Sequence, residues 1–175
     1  MTDETVTSVT LAGDMEIETA IVIDSEIELN LNGFDISLPN DTDGSGVFKV
    51  IAGGNLTING EGVINGVGNN NYNMAIWVNG GACTINGGTY TNVGATDSTD
   101  DDAHFDVIYV KGGSLTVNGG AIVNEDKAIS GIVSNGDLTL NDVNVTSARH
   151  ALRIESGNVV INGGEYRVAP ISKST

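Results

Sequence analysis

Four carboxylates in six residues form the densest reactive cluster in the chain: Asp97, Asp100, Asp101 and Asp102, in the run Asp97-Ser98-Thr99-Asp100-Asp101-Asp102-Ala103-His104. Oxygen donors at that density suit a hard cation, so Ca²⁺ is the metal such a loop would take. A close carboxylate pair also suits acid–base cleavage of a glycosidic bond, which would make the 97–106 loop the centre of a glycan hydrolase or lyase. The ligand spacing of an EF-hand is absent, and runs of like charge ordinarily mark a solvated face. The expectation is a solvated acidic loop with no cofactor, and Ca²⁺ binding is the alternative. Cys83 is the sole cysteine, so neither an intrachain disulfide nor a thiolate metal site can form. Its place in an apolar alternation suits a small buried hydrophobe rather than a nucleophile.

Charge narrows the partners. Lys and Arg total 7 against 23 Asp and Glu, a formal net charge of −16, which disfavours nucleic acid, anionic membrane and polyanionic glycans as direct partners unless cations bridge. The first ten residues carry neither a basic start nor an apolar run, and no stretch is apolar enough to span a bilayer. The chain is therefore expected to be made in a cytoplasm without a signal peptide.

The elements that must position these groups come from one repeated phrase. Asn55-Leu56-Thr57-Ile58-Asn59-Gly60 returns as Ala82-Cys83-Thr84-Ile85-Asn86-Gly87, Ser114-Leu115-Thr116-Val117-Asn118-Gly119, Asp137-Leu138-Thr139-Leu140-Asn141-Asp142 and Asn158-Val159-Val160-Ile161-Asn162-Gly163. Leu29-Asn30-Leu31-Asn32-Gly33 is read as an earlier copy. Each copy reads as a half-buried strand running into a tight turn. The Asn column Asn32, Asn59, Asn86, Asn118, Asn141, Asn162 advances by 27, 27, 32, 23 and 21 residues. A strand–turn unit at that period implies a solenoid whose repeats bury their faces only by stacking. The extra residues of the longer repeats fall in one corner, at Ser37 to Gly46, Gly66 to Asn73, Gly94 to Asp106 and Glu125 to Ala128.

Alignment on the Asn column assigns the faces. Leu56, Cys83, Leu115, Leu138 and Val159 point inward, as do Ile58, Ile85, Val117, Leu140 and Ile161, with Thr57, Thr84, Thr116 and Thr139 outward between them. On the preceding strand Ile51, Val78, Val110, Val133 and Ile154 are read as inward. Val50, Trp77, Tyr109, Ile132 and Arg153 are read as an outward aromatic–aliphatic stripe, a contact surface for another subunit or a sugar. After the turn Val63, Tyr90, Ile122, Val145 and Tyr166 return inside. Three short strands per repeat then give an all-β fold of about seven coils, with 1–14 as a polar lead-in, 15–170 as the single domain and 171–175 as a tail.

The Asn-Gly turn after an apolar-Thr-apolar strand resembles the right-handed parallel β-helix of the pectate-lyase-like superfamily, which includes phage tailspikes, fibres and decoration proteins and bacterial surface proteins. The resemblance implies that Asn32, Asn59, Asn86, Asn118, Asn141 and Asn162 form an inward, hydrogen-bonded ladder. Polygalacturonase-like members place Asp motifs, a His and an Arg-Ile-Lys strand on successive coils. Asp41-Thr42-Asp43-Gly44, Asp101-Asp102, His150 and Arg153-Ile154-Glu155 echo that order, with Glu155 where Lys is expected. The superfold hosts enzymes, adhesins and virion proteins alike. The expected function is a non-catalytic structural, decoration or fibre module of a phage virion. It would act as a homotrimer docked on a larger assembly such as a capsid and sit on the virion surface. A carbohydrate-binding adhesin module at a bacterial cell surface, with a glycan partner, and a glycan-cleaving enzyme are the alternatives.

Overall fold

In the computed structural model, residues 6–39, 46–66, 74–92, 106–124 and 130–169 are described. They form eighteen strands, and no helix occurs among them. In chain order these are β1 (Ser8–Thr10), β2 (Met15–Glu16), β3 (Ile21–Ile23), β4 (Glu26–Asn30), β5 (Ile36–Leu38), β6 (Phe48–Ile51), β7 (Asn55–Asn59), β8 (Val63–Gly66) and β9 (Ile76–Ile85). There follow β10 (Thr89–Thr91), β11 (Asp106–Val117), β12 (Ala121–Asn124), β13 (Ser130–Ser134), β14 (Asp137–Leu140), β15 (Val143–Ser147), β16 (Leu152–Ile154), β17 (Val159–Ile161) and β18 (Gly164–Val168).

The strands build two parallel sheets. One has seven strands in the order β18-β15-β12-β10-β8-β5-β2. The other has eleven and two arms: β3-β6-β9-β11-β13-β16 and β1-β4-β7-β9-β11-β14-β17. The arms share β9 and β11, which pass unbroken from one to the other, so three separate strands per repeat are not found there. Every pairing joins residues at least twenty positions apart, and each repeat lies on the one before it, consistent with a β-solenoid. The sheet begins at β1, within the 1–14 lead-in.

Register explains the sequence columns. Leu56, Cys83, Leu115, Leu138 and Val159 stack in line, and so do Ile58, Ile85, Val117, Leu140 and Ile161. The threonines Thr57, Thr84, Thr116 and Thr139 pair between them on the outer side. In the seven-stranded sheet the inward column is Ile36, Ile64, Tyr90, Ile122, Val145 and Tyr166. Ile64, not Val63, is thus the inward residue of β8. These columns meet in one continuous core, in which each buried Leu, Ile or Val contributes on the order of 1.5–3 kcal/mol.

A second column, of glycines, closes the corner between the two arms. Gly54, Gly81, Gly113, Gly136 and Gly157 advance by the same 27, 32, 23 and 21 residues as the asparagines from Asn59. A Cβ on Gly113 would sit 2.0 Å from the Gly81 carbonyl oxygen, and one on Gly157 the same distance from that of Gly136. Gly113 also has φ +83°, so both backbone conformation and lack of a side chain are required there. The four internal segments outside the description (40–45, 67–73, 93–105 and 125–129) all connect a strand of the seven-stranded sheet to the arm that begins with β3.

Candidate functional site

The outer face of the β3–β16 arm brings together Lys49, Trp77, Tyr109 and Arg153. Its outward column runs Val22, Lys49, Trp77, Tyr109, Val133, Arg153. Two residues of the sequence-derived stripe therefore change sides. Val50 and Ile132 point into the core and are fully buried, while Ile51 is not in the inward column and Val133 lies on the outer face. The cause is the corner. A constant offset of nine residues from the Asn column places Val50 and Ile132 opposite Trp77, but register shifts at Val50/Ile51 and along Val110–Ser114 show that the corner holds variable numbers of residues. In Lys49-Val50-Ile51 and Gly131-Ile132-Val133, neighbouring apolar residues leave the alternation ambiguous.

Nor is the stripe an open apolar surface. Tyr109 (7% exposed) and Val133 (1%) form a small buried cluster with Met74, and the half-buried Trp77 packs against it. Lys49 Nζ lies 4.4 Å from the Trp77 ring centroid and Lys111 Nζ 6.0 Å from it. Such placement is worth roughly 0.5–2 kcal/mol to a cation over an indole. The Trp77 Nε1 is buried without a hydrogen-bond partner in this arrangement. Arg153 extends the cationic strip and pairs with Glu155 at 2.7 Å. In a strongly acidic chain, this face can attract an anionic group and offers an aromatic edge beside it.

One edge of the same face carries Asp106, Ser130 and His150. Asp106 and Ser130 are register neighbours, both buried, and Ser130 Oγ is 3.3 Å from His150 Nδ1. The order is unsuited to nucleophilic catalysis, because serine lies between acid and imidazole where a relay needs the imidazole in the middle. Of the glycosidase-like set, His150, Arg153 and Glu155 are described. Asp41, Asp43, Asp101 and Asp102 lie outside the described residues, as do Asp97 and Asp100 of the acidic loop. Among the described residues no three His, Cys, Asp or Glu side chains converge to hold a metal.

The asparagine column does make a chain of hydrogen bonds, with two differences from the inward ladder expected. Asn86 Nδ2 donates to Asn59 Oδ1, Asn118 to Asn86 and Asn141 to Asn118, each at 2.8 Å, and Asn162 donates to Asn141 at 2.6 Å. The ladder runs along the outside, where Asn86, Asn118 and Asn162 are exposed. Asn32 is not a rung. Register sets Asn30 beside Asn59, Asn59 Nδ2 instead donates to Glu28 Oε1 at 2.8 Å, and Asn32, at φ 53°, donates to the Leu11 carbonyl. In Leu29-Asn30-Leu31-Asn32-Gly33 both asparagines fit the alternation, and the Asn-Gly pair favours the wrong one.

The inward position belongs to two asparagines that pattern reading missed. Asn92 (2% exposed) donates to the Asp106 carbonyl at 3.4 Å, and Asn124 (3%) to the Asn92 carbonyl at 2.9 Å. They satisfy backbone carbonyls inside the corner from which the long connections leave. The signal was present, since 92 to 124 is the same 32-residue step as 86 to 118. Elsewhere burial sets the ionisation. It pushes the Cys83 thiol up to about 12 and the Tyr90 phenol well above its usual range, the latter helped by the neighbouring thiolate that Cys83 would become. Neither group is fit for chemistry near neutrality.

A hollow of ≈ 540 Å³ beside the ladder is lined by Glu26, Glu28, Thr57, Asn59 and Asn86, among others. It is open and polar, without a converging acid–base pair. Comparison with known protein families, with curated proteins and with solved structures finds no match.

Proposed function

We propose that the chain is a non-catalytic structural module, a decoration or fibre element of a phage virion, working as an oligomer at the virion surface. On this reading the two sheets are a right-handed parallel β-helix of about seven coils, of the pectate-lyase-like kind. Right-handedness follows from the rule that parallel crossovers take that hand in about 98% of cases. The observation that carries the reading is at the ends. The apolar column of Ile58, Ile85, Val117 and Leu140, fully buried mid-chain, runs on uncovered to the last repeat, where Ile161 is 49% exposed. Monomeric proteins rarely leave strand edges and apolar columns open together, so assembly is the natural cover. The stripe-buried homotrimer loses its main support, because Tyr109 and Val133 are already covered within the chain.

A second reading, a carbohydrate-binding adhesin module, is favoured by Trp77 with Lys49, Lys111 and Arg153, which suit an acidic sugar. The hydrolase reading and Ca²⁺ binding both draw on 97–106, and no described residue carries them. Sedimentation velocity of the purified full chain across a hundredfold concentration range, with a glycan-binding screen alongside, separates these readings. A defined assembly and no glycan binding is expected. A monomer throughout that binds acidic glycans, and stops doing so as Trp77→Ala, would replace the structural reading with the adhesin one.

A further inference from the structure

We infer that copies of this chain join head to tail, the β17–β18 end of one docking on the β1–β2 end of the next in the register that already runs through each molecule. The inference rests on the structural-module reading and moves its contact from the outer face to the ends.

The interior columns supply the first support. If the register is carried across the junction, Ile161 of one copy meets Val9 of the next, because both belong to the column of Leu29, Ile58, Ile85, Val117 and Leu140. By the same rule Tyr166 meets Met15. Apolar meets apolar at each. Val9 is 37% exposed and Met15 38%, whereas their column mates inside the molecule are buried. At the β1–β3 end an apolar hollow of ≈ 100 Å³, lined by Val9, Leu11, Met15 and Ile23 among others, opens where the next repeat would sit. Exposed backbone donors and acceptors on both edges would find partners of the parallel kind that every internal repeat uses.

Charge supplies the second, independent support and selects a second copy of the chain as occupant. Between residues 6 and 30 the described chain carries six carboxylates (Asp14, Glu16, Glu18, Asp24, Glu26, Glu28) and no Lys or Arg. All three arginines of the chain, Arg149, Arg153 and Arg167, lie in the last described twenty-one residues, 149–169. The first repeat is thus strongly acidic, whereas residues 152–168 balance Arg153 and Arg167 against Glu155 and Glu165, which favours head-to-tail over head-to-head contact. One pair is specific. Glu16 starts and Arg167 ends a single outward column that passes through Ser37, Asn65, Thr91, Val123 and Thr146. Across a junction in register they become neighbours. Arg167 already pairs with Glu165 in its own strand, so it would bridge Glu165 and the next copy's Glu16, and Glu165 would not face Asp14 unneutralised. Such a contact is heterologous and does not close by itself, so it yields linear arrays.

The test uses full-length chain, with sedimentation velocity and negative-stain imaging as readouts and circular dichroism to confirm folding. The wild type should lengthen with concentration into rods of repeating units. Arg167→Glu alone and Glu16→Arg alone should each lose most of that growth, and an equimolar mixture of the two variants should regain it, since each unlike junction restores an opposite pair. Ile161→Asp should abolish growth while leaving the fold intact. Rods or closed oligomers that form equally well in all three variants overturn the head-to-tail contact and leave the structural-module reading standing. A wild type that stays monomeric at every concentration overturns both.

Discussion

Replacing Asn118 by alanine removes two side-chain hydrogen bonds at once. Asn118 Nδ2 donates to Asn86 Oδ1 and Asn118 Oδ1 accepts from Asn141 Nδ2, both at 2.8 Å. Hydrogen bonds of this kind contribute about 0.5–1.5 kcal/mol net. The ladder lies on the outside, so water replaces the lost partners at Asn86 and Asn141 and no buried orphan is created, which holds each bond to the low half of that range. The expected loss is about 1–2 kcal/mol, or roughly 2–8 °C in Tm for a chain of this size. Asn162, the last rung, makes only the bond to Asn141 within the ladder, so Asn162→Ala should lose about half as much. Asn144, exposed on β15 and outside the ladder, is the control. Thermal unfolding followed by circular dichroism gives all three. If Asn118→Ala, Asn162→Ala and Asn144→Ala cost the same within about 0.3 kcal/mol, the ladder does not stabilise the fold and the reasoning from its geometry fails.

Gly113→Ala should cost about 2–4 kcal/mol, from a strained positive φ and a Cβ 2.0 Å from a carbonyl oxygen, while Gly112→Ala, which meets nothing within 4 Å, should stay within about 0.5 kcal/mol. Equal Tm values for the two would refute the glycine corner. The Cys83 thiol is held neutral by burial up to about 12, so its contribution to stability is complete below the unfolded value near 9 and is lost as pH rises from there towards 12. Denaturation curves should therefore show stability falling by about 1.4 kcal/mol per pH unit from this thiol, with Tyr90 adding to the fall, and Cys83→Ala should make the slope shallower. An unchanged slope would mean that the thiol is reached by water. Tyr90→Phe removes the 3.1 Å bond from the phenol to the Gly87 carbonyl and should cost about 1–2 kcal/mol by urea unfolding, and a neutral result would show that water satisfies that carbonyl.

How far the sequence discloses this molecule depends on how rigidly each column is tied to its neighbour. From the apolar-Thr-apolar strand through Asn141, residue count and space stay in step, because strand and tight turn have fixed lengths. There the stacking of Leu56 on Cys83 and of Thr57 on Thr84 is legible from spacing alone. Across the glycine corner they fall out of step. A bulge at Val50/Ile51 adds a residue and the β13–β14 corner drops one, and a single-residue slip in a strand exchanges its two faces. That slip moved Val50 and Ile132 to the outside of the sequence-derived stripe and Val133 to the inside. The covering of Tyr109 and Val133 lay beyond pattern reading altogether, since periodicity reports which side a residue faces and not what lies above it.

The same physics bears on function. In a stacked fold each repeat is stabilised by the two beside it, so the interior repeats are interchangeable in their cores and free to differ on their surfaces. Only the end repeats lack a neighbour. Residues selected for contact with another molecule should therefore break the column pattern at the ends or on the loop side. The described chain breaks it in one outward column and not in apolar pattern. The inward columns continue unchanged through Ile161 and Tyr166, whereas the outward column from Glu16 to Arg167 reverses sign. An end capped within its own chain would gain from polar residues in the inward columns. An end that keeps those columns apolar is matched to a further repeat, and the far end of another copy has the required register, with Arg167 set against Glu16.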